Sequence, residues 1–410
     1  MSGGGAGGVD LDRLFPPDLR ALFDDRFVRS CDLFEEYVRR LAIRVVRVSG
    51  IGSAAREPGT AAAIAARAGL DSARGPAPVA WLLGTLATAG LATRSGAADE
   101  EVFSLSEEPP DLDPDPIAHQ QEGHDPACLP SYRLAALAAA LYPDILRGQV
   151  SGEEALFAPD RVSAWIDYFS NDNPLYAVSN RIGALAADRA IAPREAGGAA
   201  VLEIGGGLGS GTAALFGRLD ETGRAGAVQS YRFTEVAPSF LRRGQRALQA
   251  RLPRAPLSYG RLDMDRPFAE AGIEPASVSL VYGVNTLHVA RDLEFTLREI
   301  RRALAPGGTL VLSECVRPFA ARPIYVEFVF NLLESFRSPC LVDPWRPHGG
   351  FLSPEQWTAG LLACGFRDVA IVPDVPRLRD LVPACVIASI AAVRDESPGR
   401  SDVDAGAEHP

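Results

Sequence analysis

The sequence predicts an α/β protein: a doubly wound sheet in the C-terminal half, preceded by a helical N-terminal domain and a further helical region. Three observations carry that expectation. From about residue 198, short apolar runs alternate strictly with amphipathic stretches, the texture of parallel strands joined by right-handed crossover helices. One of those runs, at 200–212, reads AVLEIGGGLGSGT and passes straight from a strand into glycines and a helix. Between about 16 and 110, by contrast, apolar residues recur at three- and four-residue spacing, the period of helices.

In chain order, residues 1–15 and 396–410 are rich in Gly, Pro and charge with no hydrophobic period, and both are expected to stay disordered. Residues 16–110 read as a domain. Pro17 opens a helix, the stretches 31–48, 61–69 and 78–92 repeat the helical spacing, and 91–105 suggests a short strand pair. That order resembles a winged helix. A DNA reader would turn Arg, Asn or Gln from the second helix toward base edges, but PVAWLLGTLATAGLA is apolar nearly all round, so the module is expected to pack or to form a homodimer. Residues 111–195 are expected to be a linker and helical lid, with a Pro-rich loop over 108–130 and helices at 131–147 and 160–191. His119, Glu122 and His124 lie in that loop without an i, i+4 helical pair, so no metal is expected there.

Composition sets chemical limits. All 41 basic residues are Arg and there is no Lys, which excludes a Lys Schiff base and a GK[ST] phosphate loop. A net charge of −11 opposes a phosphate backbone, so nucleic acid is an unexpected partner. The six cysteines are scattered without a CxxC pair and the N-terminus has no signal pattern, which reads as a reduced cytoplasmic protein. No apolar run approaches the roughly 20 residues of a membrane span.

The core domain is expected over 196–395. In its glycine loop, Gly205, Gly207 and Gly209 let the backbone turn tightly and approach a ligand, whose polar group meets the helix N-terminus. Glu203 ends the preceding strand, where a buried carboxylate needs a cationic or hydrogen-bonding partner. Glu235 ends the next strand, where an acid accepts both hydroxyls of a ribose. A plain structural turn and a dinucleotide site are the competing readings, although a pyrophosphate has little use for an acid two residues ahead of the first glycine. ExGxGxG at 203–209, the acid after strand two and LDM at 262–264 together resemble the class I S-adenosylmethionine-dependent methyltransferases, which share a Rossmann-like sheet. The resemblance implies S-adenosylmethionine as cofactor. It places Gly205 and Gly207 along the methionine moiety, Glu235 at the ribose, and Asp263 with Met264 around the adenine; Gly209 and Asn285 complete the expected cofactor set.

The fourth strand leads into NTLH, which places Asn285 and His288 at the carboxyl edge where ligands bind in open α/β sheets. Glu314 closes the fifth strand, its neighbour. A carboxylate on one imidazole nitrogen fixes the tautomer and raises the basicity of the other, so the pair is a candidate general base. The stretch LVYGVNTLHVARDLEFTLREIRRALAPGGTLVLSE resembles the C-methyltransferase domains of polyketide synthases, as do DILRGQVSGEEALF, SYGRLDMDRP and GGFLSPEQWTAGLLACGF, while residues 1–110 look more like the N-terminal module of free-standing small-molecule methyltransferases. That likeness implies a His288–Glu314 dyad that removes the α-proton of a β-ketoacyl thioester or similar acceptor, free or borne by an acyl carrier protein. Substrate contacts are expected from Tyr176 in the lid and from Phe328, with Phe330 and Phe336, on a helix inserted over 322–345. An O-methyltransferase using the same His is the alternative, and a non-catalytic cofactor-binding protein a second. The Arg run at 242–254 reads as a solvated face or as a surface for an acidic carrier.

Overall fold

The computed structural model describes residues 15–96, 101–191 and 198–395. Seven strands form the main sheet: β1 (Ala199–Glu203), β2 (Val228–Thr234), β3 (Leu257–Gly260), β4 (Val278–Val284), β5 (Leu304–Cys315), β6 (Phe366–Val372) and β7 (Ile387–Arg394). Their spatial order is β3-β2-β1-β4-β5-β7-β6. The chain runs outward from β1 to β3 and then crosses back to β4. The carboxyl ends of β1 and β4 therefore lie at the switch point where such sheets open a crevice.

Strands β1 to β5 are parallel. The expectation of a wholly parallel sheet fails at β7, which runs antiparallel to both β5 and β6, so the sheet is mixed. The connection from β6 to β7 holds only the one-turn helix Val375–Leu378, too short to carry the chain back along the face of the sheet as a crossover does.

Long helices bring the remaining elements to this edge. Helix α1 (Asp25–Val48) starts where the Asp24 carboxylate accepts the Phe27 N–H at 2.7 Å, and it buries one apolar stripe from Phe27 to Val46. Helix α2 (Leu129–Leu146) packs on α1, and helix α3 (Pro174–Ile191) lies across β4, β5 and β7 beside helix α4 (Ser210–Glu221). Three short strands, Gly59–Thr60, Val102–Ser104 and Thr93–Ser95, make a small antiparallel sheet in the N-terminal region. The apolar helix Pro76–Thr88 buries Val79, Trp81, Leu82, Leu83 and Leu86 within the chain.

One continuous cluster of buried side chains runs from Phe15 and α1 through α2 and α3 to Ile387 of β7. Phe15 is 4% exposed and stacks on Phe23 at 4.9 Å, so the expected N-terminal tail is corrected at that residue. The rest of both expected tails lies outside the described residues. The expected loop at 108–130 contains a helix, Asp115–His124: Pro in its first turn needs no N–H partner and Asp115 suits the positive helix end. There His124 Nε2 meets the Arg26 carbonyl at 2.9 Å. Among the described residues no three His, Cys, Asp or Glu side chains are grouped to hold a metal ion, and no helix is long and apolar enough to cross a membrane.

Candidate active site

The glycine loop takes its shape from positive φ angles: +64° at Gly205, +57° at Gly207 and +85° at Gly209. At Gly205 any side chain is barred, because a Cβ would stand 1.9 Å from Thr286 Oγ1. A Cβ on Gly207 would meet nothing within 4 Å, and the Gly207 N–H donates to Glu235 Oε2 at 3.0 Å. Gly207 thus offers bare backbone to the cavity beside the acid that closes β2. Gly209 lies off the cavity wall: it caps α4 and its Cα faces Leu248, so its part is to turn the chain into the helix.

The cavity at this edge measures about 430 Å³, within the usual range for small-molecule sites. Of the residues singled out in the sequence, Glu203, Gly205, Gly207, Glu235, Asp263, Met264, Asn285, His288 and Tyr176 line it. Glu203 is buried, accepts from the Thr212 hydroxyl, and has its carboxyl pushed up to about 7 by loss of solvent. Glu235 Oε1 accepts from the Ala237 N–H at 2.8 Å. Burial also raises the Tyr176 phenol, with Cys315 and Glu314 adding to the shift, which keeps the phenol protonated and able to donate.

At the end of β4 the backbone of Asn285 enters the left-handed region, φ +47°, which Asn tolerates better than most residues. Its N–H donates to the Ser313 carbonyl at 2.7 Å and its Oδ1 accepts the Cys315 N–H at 2.9 Å, tying β4 to β5 on both sides of Glu314. The next residues wrap around the Glu314 carboxylate. Oε1 accepts the N–H groups of Thr286 at 3.1 Å and Leu287 at 2.9 Å, and Oε2 meets His288 Nδ1 at 2.7 Å. Glu314 is fully buried behind His288, which is 4% exposed and lies on the cavity wall. The Phe351 ring packs on the imidazole with centroids 4.3 Å apart, and the buried Arg346 guanidinium donates to the His288 carbonyl at 3.0 Å.

Phe328 does not reach the cavity, contrary to expectation. The inserted segment forms two single turns, Glu327–Phe330 and Glu334–Arg337, rather than one helix. Phe328 points inward, stacked on Tyr142 at 4.8 Å and near Trp81 at 5.7 Å, whereas Phe330, about 200° further round the turn, lines the cavity. Phe336 packs behind Phe330 and Phe351. Sequence reasoning missed Asn180, Phe351 and Asp265 on the wall. Asp265 follows Asp263 by two residues in LDMD and was within reach of the motif; the others had no local signal.

Residues 202–310, which hold the glycine loop, the acid after β2, Asp263, Met264 and His288, match the family model described as a methyltransferase domain. The chain carries a methyltransferase domain. It is 32% identical over 269 residues to the non-reducing polyketide synthase dpmpA of Macrophomina phaseolina, covering 62% of this chain and 11% of that protein. It is 29% identical over 231 residues to the methyltransferase calH of Penicillium decumbens, covering 56% of this chain and 57% of the relative. The chain thus spans about a tenth of the first relative's length and somewhat over half of the second's. The fold matches that of the CurJ carbon methyltransferase with a TM-score of 0.73 at 23% identity, over 92% of this chain and 96% of that one.

The cofactor of such a domain is S-adenosylmethionine, and the residues present fit it. Gly207 leaves backbone open to a ligand, the two Glu235 oxygens stand at the end of β2 for a diol, Met264 offers an apolar edge, and Glu203 is a buried acid with no cation beside it among the described residues. A zwitterionic ligand with a sugar and a flat base answers all four.

Proposed function

We propose that this methyltransferase domain methylates an enolisable carbon, with His288 as general base and Glu314 as its orienting acid, on a β-ketoacyl thioester or related 1,3-dicarbonyl of polyketide-type metabolism, free or held on an acyl carrier protein. The observation that carries the reading is the 2.7 Å contact between His288 Nδ1 and the buried Glu314 carboxylate at the cavity wall. With two backbone N–H groups on its other oxygen, Glu314 is a fixed acceptor, which assigns the proton to Nδ1 and leaves Nε2 basic. S-adenosylmethionine supplies, when bound, an electrophilic methyl on a sulfonium. His288 takes the α-proton at Nε2, and the Glu314 carboxylate stabilises the imidazolium that results. Phe351 packs on the imidazole ring, tilted 40° to it. The protonated Tyr176 phenol donates to the oxygen on which enolate charge develops. The aromatic wall of Tyr168, Phe169, Phe330 and Phe351 favours an apolar acyl chain.

Carbon rather than oxygen is favoured by the likeness to polyketide synthases and to a carbon methyltransferase fold, and a C–H acid needs a base such as His288 because it is no nucleophile until it is deprotonated. The test is the site of a labelled methyl group. Incubation with methyl-labelled S-adenosylmethionine and a β-ketobutyryl thioester is expected to give a new C–CH₃ resonance on the α-carbon. An O-methyl signal overturns the carbon assignment.

A further inference from the structure

Asn180 has no part in the chemistry above, yet it is fully buried on α3 and lines the cavity. Its Nδ2 donates to Asn171 Oδ1 at 2.8 Å, and Asn171 is anchored in turn through Nδ2 to the Ser210 carbonyl at 2.9 Å. That chain of contacts fixes the amide. Among the described residues its Oδ1 is buried with no hydrogen-bond partner, an arrangement that is uncommon in folded proteins and calls for an explanation.

A second acceptor converges on the same place. A Cβ on Gly211 would stand 3.6 Å from Asn180 Oδ1 and 3.3 Å from Glu203 Oε1. Gly211 is the second residue of α4, whose N-cap Gly209 brings no side chain to the first-turn N–H groups, and Ser210 and Gly211 both line the cavity. Two oxygen acceptors beside uncapped amide donors are complementary to an α-amino acid head, with the ammonium on the acceptors and the carboxylate at the helix start.

We propose that Asn180 Oδ1, together with Glu203, binds the α-ammonium of the cofactor's amino-acid end, and that Asn171 is the positioning residue that turns this oxygen toward the ligand. The inference rests on the S-adenosylmethionine reading of the cavity. It adds a determinant from α3, outside the 202–310 segment that matches the family model.

Calorimetric titration of the full chain with two ligands tests it. S-adenosylhomocysteine carries the amino-acid head and 5′-methylthioadenosine does not. Asn180→Leu is expected to weaken S-adenosylhomocysteine about 10- to 100-fold, as loss of a hydrogen bond to a charged group does, and to leave 5′-methylthioadenosine within about twofold. Asn171→Ala is expected to lose a smaller part, about 3- to 10-fold, with the same selectivity, and it carries the test if Asn180→Leu does not fold. Unchanged binding of S-adenosylhomocysteine, or equal loss of both ligands, overturns the role of Asn180. Wild-type protein that binds neither ligand overturns the cofactor reading itself, and this inference with it.

Discussion

The Glu314 carboxylate makes three contacts, and each has a different consequence when the residue is changed. Glu314→Gln keeps a polar group of the same shape in the same place but removes the charge that stabilises an imidazolium. The expected outcome is a kcat lowered by about 10²-fold, within the range of general-base contributions, with a melting temperature close to wild type. Glu203 gives a pH prediction. Its carboxyl stands near 7 in the folded chain against an ordinary 4.5, so between those values the folded state holds a proton that the unfolded state has released. The stability this proton confers is fully present below about pH 4.5 and is lost as pH rises through 7. The wild-type melting temperature, measured without ligand, should therefore fall relative to that of Glu203→Gln between pH 5 and pH 8. Both acids were legible in the sequence because each ends a strand at the ligand edge. Asn180 was not, since its meaning depends on Asn171, Ser210 and Gly211, which meet only after α3 packs beside α4.

At the level of elements, strand ends and the glycine turn were readable because local pattern decides them: an apolar run fixes a strand, and glycines fix the turn that follows. The same loop makes a graded prediction. Gly205→Ala forces both a positive φ on an L-residue and a clash with Thr286, while Gly207→Ala forces the φ alone, a cost of about 1–2 kcal/mol. Thermal melts should show Gly205→Ala much the less stable, and Gly205→Ala should also lose ligand binding. What pattern did not show is the phase of a single turn. Phe328 and Phe330 are two residues apart in PIYVEFVFNLLESF, equally apolar, and nothing nearby says which one faces a cavity; Trp81 and Tyr142, distant in sequence, decide it. The direction of β7 was hidden for a similar reason, because the same apolar run suits either direction and the short connection from β6 settles it.

Across the whole molecule, the N-terminal helices are part of the site's support. Phe34 of α1 reaches the cavity wall, and the buried Glu327 carboxylate accepts from Trp81 Nε1 at 3.0 Å while pairing with Arg317 at 2.7 Å. Trp81→Phe keeps the ring but leaves that carboxylate short of one donor, and is expected to lower stability by about 1–3 kcal/mol in denaturant unfolding. Sequence reading separated 16–110 from the core because its helical texture differs from the strand alternation that follows. Periodicity reports which face of each helix is apolar and not what that face meets. Here the faces of α1, α2 and α3 share one cluster with Ile387 of β7.

His288 is assigned to removing a proton from carbon and not to holding the cofactor, although it lines the same cavity. The most direct test of that assignment measures His288→Ala twice: methyl transfer to a β-ketoacyl thioester, and binding of S-adenosylhomocysteine. Transfer reduced by 10²-fold or more with binding unchanged is the predicted result. Transfer at the wild-type rate would contradict the account.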